Sequence, residues 1–301
     1  MYSLPRRMRR FQVIILLVLL VAINLKQTES GPSIFAIWPF DRTQPINIRS
    51  DRAFPIPKPN ATVIRNGDGT GENALLINTG ESVEVRLLDK KTDLSITGPA
   101  IANYLYVYTR TIFYWAKDAT GSAGTLIDGK HSAPLEVLQL YYNTKYTSYT
   151  KSLEHGDGVV IVIYRFTADA EEDNPEIEPF LEKLKEVRTP GSTMVEMEED
   201  NMWYLKISNK GYSYFIYSGS VTNVTEKETY DCAITIVIRD MFSLSKNQFE
   251  AFTNIEKDDK GTKLITEQKT YNETDHIVGK TDEKVFIPGL EKNATKFPSF
   301  P

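Results

Sequence analysis

Cysteine is nearly absent from this chain: Cys232 is the only one in 301 residues. No intrachain disulfide can form and no cysteine-built zinc cluster can assemble, so a packed core must supply the stability. Histidine is scarce too. With three in total, His131, His155 and His276, a metal centre built on imidazoles has almost no material to draw on. Charge of one sign is also lacking. The 35 Lys and Arg against 40 Asp and Glu leave a net charge of -5, which gives no basic field to attract a phosphate backbone. Nucleic acid is therefore not an expected partner.

What is present is a globular balance, with 41% hydrophobic, 25% charged and 11% aromatic residues, which excludes wholesale disorder, collagen and coiled coil. Residues 1–30 read as a secretory signal. Arg6, Arg7, Arg9 and Arg10 precede an apolar run from Phe11 to Leu25, shorter than the ~20 residues of a spanning helix. Thr28 and Ser30 are small enough for cleavage near Ser30. No later apolar run reaches spanning length, so the expected mature protein is secreted, extracellular and without a membrane span. Sequons at Asn60, Asn223, Asn272 and Asn293 fit an exported glycoprotein.

No internal repeat and no Gly-, Ser- or Pro-rich linker divides the rest, which reads as one domain over 32–290 followed by a polar tail at 291–301. Runs rich in Val, Ile, Tyr and Thr predict strands at 74–78, 82–88, 94–97, 103–115, 135–142, 159–166, 203–207, 212–217 and 232–238. Cys232 in the last of these reads as a buried small hydrophobe. Two segments have helical spacing instead. Ile177, Phe180, Leu181, Leu184 and Val187 follow the start signal Asn174-Pro175. Ser245 and Gln248 form a capping box ahead of Phe249, Phe252 and Ile255. The predicted class is mostly β with peripheral helices (α+β), and the polar stretch from Glu256 onward is expected to wrap the surface.

The order of several motifs resembles the α-class carbonic anhydrases. They are Thr43-Gln-Pro-Ile-Asn-Ile48, Asn78-Thr-Gly80, Gly98-Pro99 leading to Phe113-Tyr-Trp115, and Asp128-Gly-Lys130 leading to Leu135 through Tyr146 with its Asn143-Thr-Lys-Tyr146 end. Downstream come Gly156 to Ile163, Tyr214 to Thr222 and Phe242 to Phe249. The resemblance implies a single domain around a large, mostly antiparallel central sheet of about ten strands, with a conical cavity. In the active members three histidines hold a zinc ion at its floor.

Carried over through Trp115, the first two ligand positions fall on Ile112 and Tyr114, and through Asn143 to Tyr146 the third falls on Leu138. Isoleucine and leucine have no lone pair to give, and a tyrosine alone does not hold zinc. The family's layout puts His131, His155 and His276 away from the floor. The proton-shuttle position is Glu81, whose ordinary pKa of about 4.3 makes it a poor proton carrier at neutral pH. The glutamate that orients the family's threonine maps near Ala123. Thr222 remains, but without a zinc-bound hydroxide its hydroxyl has nothing to orient. No catalytic residue, metal or cofactor is expected.

Strand alternation puts Arg110, Ile112 and Tyr114 on one face and Glu136, Leu138 and Leu140 on the matching face of the neighbour. With Ile161, Val221 and Thr222 they would line the emptied cone. A buried carboxylate costs several kcal/mol unless paired or protonated. Arg110 is therefore expected to pair with Glu136, the alternatives being protonation or a hydrogen bond to a Tyr or Thr. The function so implied is a secreted, catalytically inactive carbonic anhydrase-related protein, a pseudoenzyme serving as a binding or scaffold module for an extracellular protein. Two alternatives stand beside it: a small-molecule carrier using the cone, which roughly several hundred Å³ of empty space would favour, and an active zinc carbonic anhydrase (carbonate dehydratase) if the register is misjudged.

Overall fold

The computed structural model describes residues 45–67, 72–88, 92–130, 133–191, 194–207, 211–223, 228–266, 271–272 and 278–288. The chain separates into Met1–Pro32 and Ser33–Pro301, and the described residues belong to the second unit. The predicted signal segment, His131, His276 and Asn293 lie outside them.

In chain order the strands are β1 (Ile46–Ile48), β2 (Phe54–Pro55), β3 (Val63–Asn66), β4 (Ala74–Asn78), β5 (Val83–Leu87), β6 (Ser95–Thr97), β7 (Tyr106–Trp115) and β8 (Leu126–Ile127). There follow β9 (Leu135–Asn143), β10 (Val159–Ala170), β11 (Val195–Met197), β12 (Tyr214–Asn223), β13 (Glu228–Ser245), β14 (Tyr271–Asn272), β15 (Gly279–Lys280) and β16 (Phe286–Pro288). The main sheet runs in the order β11-β4-β5-β7-β9-β10-β13-β12-β15-β2, with β6, β3 and β16 branching from β7. Most of its ladders are antiparallel; β10–β13, β15–β2 and β16–β3 are parallel. A small parallel sheet, β14-β1-β8, stands apart.

The four long central strands are apolar on both faces, as strands buried from both sides must be. Alternation then divides their side chains between two cores. Leu135, Val137 and Tyr141 of β9, Val160, Val162 and Tyr164 of β10 and Ile234, Ile236 and Ile238 of β13 pack under the helices. Leu138, Leu140, Ile161, Ile163, Val237, Phe215 and Tyr217 point the other way. The helix Glu178–Glu186 buries Phe180, Leu181 and Leu184, and the helix Lys246–Thr253 buries Phe249 and Phe252. Phe113 of β7 meets both helices, with Phe180 at 4.9 Å and Phe252 at 5.9 Å between ring centroids. The predicted capping box is present: Ser245 accepts from the Gln248 N–H. Cys232 is buried.

One irregularity in β7 decides which side chains reach the opposite face. Tyr108 pairs with Tyr141 and Arg110 with Leu140, so Thr109 is an extra residue in the ladder. Before this bulge Tyr106 and Tyr108 face the helix-side core. Beyond it Phe113 and Trp115 do, and Arg110, Ile112 and Tyr114 turn to the other side.

Two expectations change. Residues 203–207, predicted as strand, form the helix Trp203–Lys206 with Trp203, Tyr204 and Leu205 all buried. A run of five residues that is apolar except for Lys206 is too short to show a periodicity that separates the two states. The stretch from Glu256 onward is more than a surface wrap. It supplies β14, β15 and β16, and it docks on the end of β7: the Trp115 indole N–H donates to the Leu264 carbonyl at 3.1 Å, and the Thr266 hydroxyl donates to the Trp115 carbonyl at 3.2 Å.

Candidate functional site

On the face away from the helices, β7 and β9 form the floor of a cavity of about 100 Å³. Cross-strand register orders the floor in three levels. Arg110 lies opposite Leu140, Ile112 opposite Leu138, and Tyr114 opposite Glu136. Ile161 and Ile163 from β10, Ser220, Val221 and Thr222 from β12, and Pro45 complete the lining. Every residue proposed from the sequence as lining the cone therefore borders one space. Sequence reasoning did not name Pro45, Ile163 or Ser220; the alternation that placed Ile161 also places Ile163.

The three positions that the resemblance makes zinc ligands come together here. Ile112 and Leu138 are each 8% exposed and face one another across the ladder, and half-buried Tyr114 follows on the same side of β7. Two aliphatic side chains thus meet at the centre of the floor, with the phenol at one end.

The charged residues are arranged differently from the expectation. Arg110 does not pair with Glu136. Its Nη2 donates to the Tyr149 hydroxyl at 3.0 Å, its guanidinium lies 5.3 Å from that ring's centroid, and its Nη1 is 3.4 Å from Glu84. The reason is register: Arg110 stands at the level of Leu140, and Glu136 is four residues along β9, about 13 Å at strand rise. Glu84 on β5 lies opposite Ile112, is 4% exposed, and also accepts two bonds from Arg86 at 2.9 and 2.8 Å. Burial pushes the Tyr149 phenol up in pKa, and the Arg110 charge pulls against it.

Glu136, 1% exposed, accepts the Thr125 N–H at 2.8 Å. The hydrogen-bonding alternative is thus realised through a threonine's backbone. Burial raises the Glu136 pKa, while the Thr125 bond and the Arg165 charge pull it back. Arg165 stands directly across the β9–β10 ladder and is 3% exposed. Burial lowers its own pKa, with Glu136 opposing. Buried Tyr217 is also close enough to feel the carboxylate. The sequence did carry a signal for Arg165: one arginine interrupts the apolar run 159–166, and a cation inside a buried strand requires a partner.

The other expected positions are dispersed. Glu81 is exposed in the turn after Gly80, and Ala123 is fully buried in a loop. Thr222 is exposed at the rim, its hydroxyl 3.1 Å from that of Thr229. His155 is exposed and stacks on Tyr146 at 3.8 Å, on the turn before β10. Asn60 is exposed at the end of the helical turn Lys58–Ala61, and the backbones of Asn223 and Asn272 lie on β12 and β14.

A large mixed sheet with helices on one face and a walled cavity on the other is the architecture of a carbonic anhydrase-type domain. The sequence matches the eukaryotic-type carbonic anhydrase family over residues 40–280, and the chain belongs to that family. It is 24% identical to carbonic anhydrase 6 of Bos taurus over 181 residues, which are 60% of this chain and 53% of that protein. It is 21% identical to carbonic anhydrase 1 of Monodelphis domestica over 180 residues, 60% of this chain and 65% of that one. The matched part thus spans between about half and two thirds of these relatives.

Zinc in such a site needs three neutral nitrogen or acidic ligands at about 2.0–2.2 Å and an open fourth position. The cavity offers one phenol, the hydroxyls of Ser220 and Thr222, and one carboxylate already turned to the Thr125 N–H. Among the described residues no group of three His, Cys, Asp or Glu side chains could hold a metal ion. The donor set does not fit zinc. Among the same residues no helix is long and apolar enough to cross a membrane.

Proposed function

We propose that this chain is an exported, catalytically silent member of the carbonic anhydrase family that acts as a binding or scaffold module outside the cell. The observation that carries the proposal is the Ile112–Leu138 pair at the centre of the cavity floor, with Tyr114 beside it. Hydration of carbon dioxide in this family depends on a metal that lowers the pKa of bound water to about 7. Aliphatic side chains at two of three ligand positions remove the binding free energy of that metal and leave nothing to generate hydroxide.

Export is supported by the basic-then-apolar start of the chain and by its four sequons. The small cavity argues against a carrier of drug-sized molecules, whose sites begin near roughly 300 Å³. The partner class favoured is an extracellular protein, bound by the outer surface of a domain whose cavity floor is taken up by aliphatic side chains.

The test is elemental zinc analysis with a carbon dioxide hydration assay on protein recovered from the medium of cells expressing the full chain. The expected result is protein in the medium, no stoichiometric zinc, and hydration at the uncatalysed rate. Stoichiometric zinc with turnover would overturn the silent-enzyme reading, and retention of the protein inside the cell would overturn the exported one.

A further inference from the structure

The residual cavity carries a cation, an apolar floor and too little room for a large ligand, and that combination selects a chemical class. We propose that it binds a short aliphatic carboxylate, anchored by Arg110. The inference rests on the metal-free reading of the site.

The anchor has a spare donor. Arg110 borders the cavity, and its contacts take one N–H of Nη2 for Tyr149 and one of Nη1 for Glu84, so each of these nitrogens keeps a second N–H. Its contact with Glu84, at 3.4 Å, is the weakest that this carboxylate makes with a guanidinium, because Arg86 holds the same Glu84 oxygen at 2.9 and 2.8 Å. Two guanidiniums share one carboxylate, so a net positive charge remains at the upper level of the cavity. A guanidinium with an unused N–H prefers a carboxylate over a neutral acceptor.

The level next to the anchor is hydrocarbon, whereas Tyr114 and Glu136 stand at the level beyond it and Ser220 and Thr222 on the wall. One level along the strands, about 6.6 Å from Arg110, Ile112 faces Leu138, with Leu140 and Ile161 beside them. A carboxylate on Arg110 therefore directs its alkyl chain onto aliphatic surface. Size sets the length. The cavity measures about 100 Å³. One water needs roughly 10–15 Å³ and an apolar cavity of about 150 Å³ admits benzene, so the space fits a ligand slightly smaller than benzene. Propionate has that size.

The experiment is calorimetric or saturation-transfer NMR titration of the purified, exported chain with propionate, and with propylammonium as the same alkyl chain bearing the opposite charge. Saturable binding of propionate and none of propylammonium is expected. Arg110→Gln should weaken propionate by about ten- to a hundredfold, the value of a charge-assisted hydrogen bond. Leu138→Phe, which fills the apolar level and leaves Arg110 in place, should abolish binding; if Arg110→Gln does not fold, this variant decides alone. Absence of saturable propionate binding, equal binding of propylammonium, or binding unchanged in either folded variant would overturn the assignment. Zinc measured on the same sample separates the two readings: stoichiometric zinc overturns both, whereas zinc-free protein that ignores propionate overturns only the ligand.

Discussion

Arg165 on β10 stands directly across the ladder from Glu136 on β9, and neither side chain is more than 3% exposed. No direct ion pair joins them: Arg165 Nη2 donates to the Arg239 carbonyl at 3.4 Å and Glu136 accepts the Thr125 N–H at 2.8 Å, yet the two charges are close enough to act on one another. Removing one charge of such a buried pair leaves the other unbalanced, which costs about 3–5 kcal/mol. Arg165→Met should lose stability in that range by urea denaturation. Glu136→Gln combined with Arg165→Met should lose less than Arg165→Met alone. Additive losses would show that the two side chains do not act as a pair.

The same carboxyl makes a pH prediction. Burial holds the Glu136 pKa above the ordinary carboxylate value, against the Thr125 bond and the Arg165 charge. Because the folded state keeps this proton more readily than the unfolded chain, the contribution is fully present below the unfolded pKa of about 4.3 and is lost as pH climbs through the raised folded value. Glu136→Gln cannot titrate. Wild type should therefore lose stability relative to Glu136→Gln as pH rises from about 4 toward neutrality. A stability difference independent of pH across that range would contradict the assignment.

The floor geometry can be tested by rebuilding what the family's active members carry. Ile112 and Leu138 are direct cross-strand partners and Tyr114 is two residues along the same face of β7. Ile112→His, Tyr114→His and Leu138→His in one chain should therefore give three convergent imidazoles and stoichiometric zinc after dialysis, where the parent chain retains none. Two replacements without the third should hold zinc weakly, since three protein ligands are the usual minimum of an open site. A triple variant that stays zinc-free, although folded by circular dichroism, would show that the register alone does not place the ligands.

Much of this site was legible in the sequence, and the residues show why. Alternation fixed the faces of Ile112 and Tyr114 because the bulge at Thr109 lies before them on β7; had it fallen later, parity would have turned part of the set outward. The helix stripes at Phe180 and Phe252 were equally legible, since period and capping signals agreed. Arg110's partners were not. They depend on β5 lying beside β7 and on the helix Tyr149–Ser152 reaching over β9, contacts remote in sequence. β1, β2, β3, β8, β11 and β14 to β16 were missed for a related reason: strands of two to four residues are too short for a pattern and are held by pairing with distant chain.

Asn78 at the end of β4 shows how a polar residue serves the core. It is 5% exposed, and its amide nitrogen lies 3.1, 3.1 and 2.9 Å from the carbonyls of Val187, Arg188 and Glu256, while its oxygen accepts the Gly80 N–H at 2.9 Å. Three separate chain segments meet on one side chain. Asn78→Asp would set a carboxylate against three carbonyl oxygens, and a buried unpaired charge of that kind should cost about 3 kcal/mol or more near neutral pH. Asn78→Leu strands the carbonyls without adding charge and should cost less. The order of the two variants in denaturant is the check, and a milder Asp variant would show that these carbonyls find water instead.

Gly158, at the entry to β10, is needed for closeness of approach. A Cβ there would lie 1.7 Å from the Ser152 carbonyl oxygen and 2.5 Å from its carbon. Neither neighbour can yield easily. The Gly158 N–H donates to the His155 carbonyl at 2.8 Å, and the Gly158 carbonyl accepts the Asn143 N–H at 2.8 Å, which sets the start of the β9–β10 ladder. Gly158→Ala must push the helix Tyr149–Ser152 away from the strand, and with it Tyr149, the partner of Arg110. We expect a loss of about 4 kcal/mol, in the range of severe single-residue defects. Gly191→Ala is the control: its φ is +72° but no atom lies within 4 Å of the added methyl, so its cost should stay near the ~1–2 kcal/mol of a left-handed backbone. If the two variants unfold at the same urea concentration, the close approach at Gly158 relaxes without penalty.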